Sequence, residues 1–236
     1  MIHLKEYPSC QSCSNRHNSV FCNLTPEEMK EIDYKKNCTS YKKGQQIFHE
    51  NAYPFGLFCI SSGKIKVART GDEGKEQIIR LAKAGDILGY RALLSGDKYS
   101  CYAEAIEDSS LCFIPKDEFL NIVNKNANVS IGLMKLLSED LKVAQQKITD
   151  LAQKPVRERL AEAILVLKET YGFEQDGLTL NVVLSREELA NVVGTATETT
   201  IRLISEFKND GVIELSGKKI KIIQLAKLTK IANIHD

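Results

Sequence analysis

Three cysteines and a histidine fall within thirteen residues near the start of the chain: Cys10, Cys13, His17 and Cys22 in CQSCSNRHNSVFC. The stretch lacks the apolar spacing that builds a core, so burial as small hydrophobes does not explain these thiols. A thiolate is a nucleophile and a soft metal ligand, which marks the segment as a candidate metal or redox site. On the residues alone three chemistries stay open. Cys10, Cys13, His17 and Cys22 can form a local zinc tetrahedron of three thiolates and one imidazole. A Cys-x2-Cys loop with a third cysteine can instead supply three of the four thiolates of a [4Fe-4S] cluster, the last coming from a distant position. The third reading is a thiol cluster that holds no metal. Cys38, Cys59 and Cys101 sit in or beside strand-like runs and read as packing residues. His49 reads as a surface residue. No paired carboxylates, nucleophile and base set or Gly-rich phosphate loop stands out, so an enzyme is not expected.

Seven cysteines is an odd number, and MIHLKEYPSC lacks the apolar run of a secretory signal. A cytoplasmic location is expected, where structural disulfides are disfavoured. No apolar stretch is long enough to span a bilayer, so no membrane partner is expected. The 236 residues, 43% hydrophobic and 27% charged, suit one large domain or two modest ones. A net charge of +1 gives no bulk electrostatic sign of nucleic acid.

The elements that must position these residues change character along the chain. From Thr39 to Pro115 short runs (QQIF, GLFCIS, GKIKVART, EQIIRLA and SCYAEAI) alternate with Gly, Asp and Ser punctuation, which predicts a double-sheet jelly roll. GDEGKEQ reads as a hairpin tip. After Pro115 the period switches. Met134, Leu137, Leu141, Ala144, Ile148 and Leu151 follow the 3-4 spacing of a coiled-coil seam for about three heptads. A dimerisation helix is favoured over an amphipathic helix lying on its own domain. Pro155 marks a restart, and Val156, Leu160, Ala163, Ile164 and Leu167 give the next helix a buried face ending near Gly172.

In LSREELANVVGTATETTIRLISEFKNDGVIEL, Ser185 with Glu188 and Thr195 with Glu198 are spaced as two capping boxes, with Gly194 in the turn between. Two short helices joined this way predict a helix-turn-helix. VIEL, the turn Ser216-Gly217 and KKIKII read as a wing. Thr195, Thr197, Glu198, Thr199 and Arg202 lie where a recognition helix meets base edges. Arg202 can bond bidentately to guanine, Glu198 can accept from cytosine, and the threonines can reach phosphate or a thymine methyl. Residues 155–236 carry eleven Lys and Arg against twelve Asp and Glu, yet Lys218, Lys219, Lys221, Lys227 and Lys230 form a run with no acid between Leu215 and His235. Such a run can track a phosphate backbone. An αα-hairpin and ribbon packed on another protein is the alternative. The predicted fold is therefore α+β: an N-terminal cysteine segment (1–23), a β-roll (24–125), a dimerisation helix (126–154) and a winged helix-turn-helix (155–236).

That order resembles the CRP/FNR family of bacterial transcription regulators over essentially the whole chain. The resemblance rests on KKGQQIF, SSGKIKV, AGDILG, CFIPKDEF and VGTATETTIRLI. It implies a cyclic-nucleotide-binding-like β-roll, a homodimer, double-stranded DNA with a palindromic promoter site, and RNA polymerase as partners. Within the family the chain is most similar to the FNR branch, whose members hold a [4Fe-4S] cluster and respond to oxygen. Cys10, Cys13, Cys22 and Cys112 match its four cysteines, although the interval from Cys13 to Cys22 is longer than in the best-known members. Oxygen, nitric oxide or redox state is then the expected signal. The places of the cyclic-nucleotide branch's ribose glutamate and phosphate Arg-Ser pair are taken by Tyr90 and Tyr99-Ser100. A cyclic phosphate would lose its charge-assisted partner, so cyclic AMP is not expected. Glu198 and Arg202 match the family's recognition glutamate and arginine, which implies a TTGA-like or TGTGA-like half-site, while Ile201 departs from the pattern. The alternatives are a regulator with an unknown small-molecule effector or structural zinc and no cluster, and an iron-sulfur electron carrier or enzyme.

Overall fold

The computed structural model describes residues 9–71 and 73–233. They fall into two compact units, one of residues up to 69 with 80–142, the other of 70–79 with residues from 143 onward. After a 3-10 turn at Arg16–Asn18, the first α-helix of this unit is α1 (Pro26–Lys35), whose start is written in its sequence. Thr25 accepts from the Glu28 amide while Glu28 reaches back to the Thr25 amide, and Pro26 sits at the first helical position. Eight strands follow: β1 (Asn37–Tyr41), β2 (Gln46–Phe48), β3 (Gly56–Ser62), β4 (Lys64–Thr70), β5 (Glu76–Lys83), β6 (Ile87–Leu88), β7 (Tyr102–Ala105) and β8 (Ser109–Pro115), with a short α2 (Tyr90–Ser95) before β7.

They form two four-stranded sheets, in the orders β1-β8-β3-β6 and β2-β7-β4-β5. This is the double-sheet roll expected from the spacing of the apolar runs. Gly63 makes the tight step from β3 to β4 at φ 95°, and a Cβ there would run into Ser109. Only glycine satisfies both demands. Ile60, Ile65, Val67, Ala103 and Leu111 fill one core, in which Tyr99 stacks on Phe48 at 4.1 Å. A second core of Phe21, Met29, Ile32, Leu57, Ile114 and Phe119 clamps the N-terminal segment and α1 onto the β1-β8-β3-β6 sheet. Burial of this kind is worth about 1.5–3 kcal/mol per large side chain, so the cysteine segment is packed in place rather than trailing.

Two further helices end this region, α3 (Lys116–Lys125) and the 27-residue α4 (Ala127–Gln153). On α4 the seam residues Met134, Leu141 and Ile148 are 57%, 59% and 69% exposed within the single chain. Val129 and Leu133, on another face, are buried.

The second unit packs α5 (Val156–Tyr171), α6 (Arg186–Val193), α7 (Thr197–Asn209), the hairpin β9 (Ile213–Ser216) and β10 (Lys219–Ile222), and α8 (Leu225–Ala232). Pro155 stands just ahead of α5 as its N-cap, and Gly172 ends the helix with φ 69°. Leu160, Ile164, Leu189, Leu203, Phe207 and Leu228 are buried in its core. The last helix, α8, lies against α5 and was not anticipated. No helix among the described residues is long and apolar enough to cross a membrane.

Candidate functional site

The helix pair is set by its caps. Ser185 opens α6 with both bonds of the capping box: its hydroxyl accepts from the Glu188 amide at 3.0 Å, and its own amide donates to Glu188 at 2.7 Å. Gly194 closes α6 at φ 74°. The second expected box, Thr195 with Glu198, does not form. The Thr195 amide is drawn back onto the Ala190 carbonyl at 3.2 Å as part of the α6 terminus. Thr195 therefore belongs to the turn, and α7 starts at Thr197 with Ala196 as an uncapped N-cap.

That start fixes which side chains face outward. Thr200, Leu203, Ile204 and Phe207 are buried on the inner side of α7. Glu198, Ile201, Arg202 and Ser205 are exposed on the other, with Thr195, Thr197 and Thr199 half-buried near its beginning. Glu198 and Arg202, four residues apart, share one face. Arg202 is paired with Glu206, which also accepts from Arg157 at 2.7 Å. Arg157 in turn reaches Asp210 at 2.7 Å and lies over the Phe207 ring at 4.8 Å. The Arg202 fork is thus held outward without being buried, and Glu206 keeps a cation if Arg202 leaves.

The hairpin register pairs Ser216 with Lys219, so the two turn residues are Gly217 and Lys218, one place later than expected. Gly217 has φ 59°, which suits glycine at the first turn position. Lys218 is exposed at the tip. Two lysines of the expected run are engaged in the fold: Lys219 with Glu174 at 2.6 Å and Lys227 with the Asp210 carbonyl at 2.8 Å.

In the first unit, a cavity of about 70 Å³ lies between the N-terminal segment, α1 and the β1-β8-β3-β6 sheet. Its wall includes Cys10, Cys13, Arg16, Lys36, Cys59 and Cys112. Register explains part of this gathering. Cys112 on β8 stands directly opposite Cys59 on β3 and opposite Cys38 on β1. Residues facing each other across antiparallel strands point to the same side of the sheet, so three cysteines form one row. Cys38 and Cys112 are joined by a disulfide with Cα atoms 4.0 Å apart. This corrects the expectation that Cys38 is a packing residue and stands against the expectation that structural disulfides are disfavoured. The first followed from a strand-like run and the second from compartment, and neither reveals which strands are neighbours.

Cys10 is anchored from α1 and the residue that ends it. Its amide donates to Asp33 at 2.7 Å, and Lys36, paired with Asp33 at 2.6 Å, donates to Cys10 Sγ at 3.3 Å. Burial pushes the Cys10 thiol up to about 11, against the pull of Lys36. Burial pushes Cys59 to about 12, with Cys10 and Cys13 acting in the same direction. Asn15 donates to the Ser61 carbonyl at 2.7 Å and ties the cysteine segment to β3. Arg16 donates to the Cys22 carbonyl at 3.4 Å, while its Nε is buried with no partner. Cys22 is partly buried and is not on the cavity wall, and His17 is exposed. Among the described residues no three His, Cys, Asp or Glu side chains converge as a ready metal site. Neither the local set of Cys10, Cys13, His17 and Cys22 nor the set of Cys10, Cys13, Cys22 and Cys112 is gathered in that way.

At the positions matched to a cyclic nucleotide's ribose and phosphate partners, the side chains are turned to other uses. Tyr90 donates to Asp140 on α4 and accepts from Arg80 at 3.0 Å. Tyr99 is stacked in the core.

Residues 38–126 match the family model of the cyclic nucleotide-binding domain, and residues 158–231 that of the Crp-like helix-turn-helix domain. Cys10, Cys13 and Cys22 lie outside both matches. The fumarate and nitrate reduction regulatory protein of Escherichia coli strain K12 is 31% identical over 227 residues, covering 94% of this chain and 90% of that protein. Its counterpart from Vibrio cholerae is 29% identical over 229 residues, covering 95% and 90%. The crystal structure of a CRP/FNR-family transcriptional regulator from Thermus thermophilus superposes with a TM-score of 0.71 at 26% identity, covering 85% of this chain and 100% of that one. Layered sheets, the long helix, the capped helix pair and these likenesses agree: the chain belongs to the CRP/FNR family of DNA-binding transcription regulators, and it is a regulator rather than an enzyme.

Proposed function

We propose that the protein is a homodimeric, cytoplasmic regulator that sets α7 of each chain into the major groove of a palindromic promoter site and there meets RNA polymerase. Oxygen, nitric oxide or redox state controls it through an iron-sulfur cluster. The observation that carries the DNA reading is the outward face of α7, where Glu198 and Arg202 stand exposed one turn apart. Thr195, Thr197 and Thr199 border that face, and Lys218 at the wing tip suits a phosphate contact. To grip guanine, Arg202 exchanges Glu206 for base acceptors, and Arg157 still neutralises the carboxylate it leaves. Arg202→Ala is expected to cost about 1–3 kcal/mol and to relax preference at one base position. Lys218→Ala is expected to weaken all sequences alike and lower the salt slope by about one. Titrating both variants against the preferred site and single-base variants of it, at several salt concentrations, separates the two effects.

The homodimer reading is supported by the α4 seam, on which Met134, Leu141 and Ile148 stand more than half exposed among the described residues. The cluster reading is supported by the chemistry of the cavity wall. Cys10, Cys13 and Cys112 face it, and the family resemblance assigns the fourth thiolate to Cys22. A [4Fe-4S] cluster with four thiolates is an anion, and the wall offers two cations, Lys36 and Arg16, the latter with an unpartnered buried Nε. Bound there, the group supplies iron and sulfide that react with oxygen or nitric oxide. The chain's own part is to enclose it, to present thiols from a packed segment and a rigid strand, and to neutralise its charge. Cys112 serves as ligand only after its bond to Cys38 is reduced, which takes two electrons and two protons. The aromatic side chains Tyr90 and Tyr99 speak against a cyclic nucleotide as the signal.

A further inference from the structure

We infer that Ile201 on α7 is a specificity residue, packing on the C5-methyl of a thymine in the base step beside the guanine that Arg202 grips. This rests on the reading of α7 as the helix that enters the major groove, and it names a base that this chain selects there.

Exposure is the first argument. Ile201 is 47% exposed, and among the described residues of α7 it is the one large apolar side chain that is not buried. Leu203, Ile204 and Phe207 all face the core. A β-branched residue forms helix less readily than leucine or alanine, so helix stability does not account for isoleucine at an exposed position. The second argument is its company. Glu198 lies three residues before it and Arg202 one after, so Ile201 stands in the same outward face as the two side chains with base-edge chemistry. Along its own stripe Thr197 is half-buried, and the Ser205 hydroxyl is turned back onto the Ile201 carbonyl at 2.9 Å. The reach of that stripe toward a duplex falls to the Ile201 side chain.

The third argument is chemical matching. The major-groove edge of each base pair is a row of donors and acceptors, and the thymine methyl is its apolar feature. Set against an amino group or a carbonyl, isoleucine would strip water from a polar atom and return no hydrogen bond. Against the methyl, both partners remove apolar surface from water. The side chain is stiff at χ1 in a helix, so it loses little rotamer freedom on contact. Ile201 thereby rejects a G·C pair at that step as well as favouring A·T.

The full chain, prepared without air, first selects its preferred duplex from a pool with randomised two-fold half-sites. The guanine is located as the base at which Arg202→Ala relaxes preference. Each thymine of the selected half-site is then replaced, symmetrically and one position at a time, by deoxyuridine, which lacks only the methyl. Replacement beside that guanine is expected to weaken wild-type binding about four-fold per half-site, or roughly fifteen-fold for the symmetric pair. Ile201→Ser is expected to bind the thymine and uracil duplexes alike, with unchanged circular dichroism and an unchanged salt slope, because no phosphate contact is lost. A selected half-site with no thymine beside that guanine on either strand, equal wild-type affinity for every uracil duplex, or an undiminished thymine preference in folded Ile201→Ser overturns the inference. Wild-type protein that selects no sequence from the pool overturns the reading of α7 itself, which is a distinct result.

Discussion

Replacing Leu141 and Ile148 together with glutamate is expected to turn the protein into a monomer and weaken binding to a two-fold site about 10²–10⁴-fold. The loss comes from avidity, because a second recognition helix tethered by the dimer binds at high effective concentration. Leu141 and Ile148 are 59% and 69% exposed within one chain, so the chain's own fold does not depend on covering them. In a paired seam they are buried, and glutamates placed there set like charges against each other in a low-dielectric contact. Sedimentation of the variant should show a single chain with unchanged helix content. Glu139→Gln, away from the seam, should leave a dimer. A Leu141→Glu, Ile148→Glu protein that still sediments as a dimer would mean that α4 pairs by another face or not at all.

Cys112→Ser is expected to abolish iron binding outright, where Cys101→Ser leaves it intact. Cys112 is the one cysteine that the family resemblance, the cavity wall and the strand register all select. A hydroxyl is a poor substitute for a soft thiolate. Cys101 is absent from the cavity wall and lies beside the other core of the roll. Cys38→Ser gives the complementary result. It removes the disulfide partner of Cys112, so air-exposed protein should reload its cluster without first being treated with a reductant. Iron and sulfide assays after anaerobic reconstitution, together with peptide mapping of the air-exposed form for the Cys38–Cys112 bond, check both. Wild-type iron content in Cys112→Ser would remove the β-roll from the cluster site.

What was legible in the sequence was what local physics dictates. The roll followed from short apolar runs separated by turn residues, and the long helix from the 3-4 seam of Met134 to Leu151. The helix pair followed from Ser185, Glu188 and Gly194, whose cap and turn stand as read. Where local signals compete, the reading slipped. Thr195 and Glu198 have capping-box spacing, but the α6 terminus claims the Thr195 amide first and moves the start of α7. The wing turn moved by one residue because Gly217 is the residue that adopts φ 59°. The start of α1 is also a local signal: Thr25, Pro26 and Glu28 spell a capping box with proline at the first helical position.

The cysteine site was harder for a different reason. Cys10 and Cys13 announce themselves by spacing, but the row of Cys38, Cys112 and Cys59 exists only once β1, β8 and β3 are neighbours in a fixed register. Strand order is a non-local property, and no single run carries it. Lys36 and Asp33, which hold Cys10, were hidden for the same reason: they stand at the end of a helix that packs back onto the segment preceding it.

The central claim is that two copies of α7 read a duplex. Titration of the intact protein, prepared without air, against a two-fold symmetric duplex and a random duplex of equal length across a salt series tests it most directly. The expected result is saturation at two chains per symmetric duplex, with affinity about 10³-fold or more above the random one and a steep decline with salt. Binding of one chain per duplex, with equal affinity for both sequences, would contradict it.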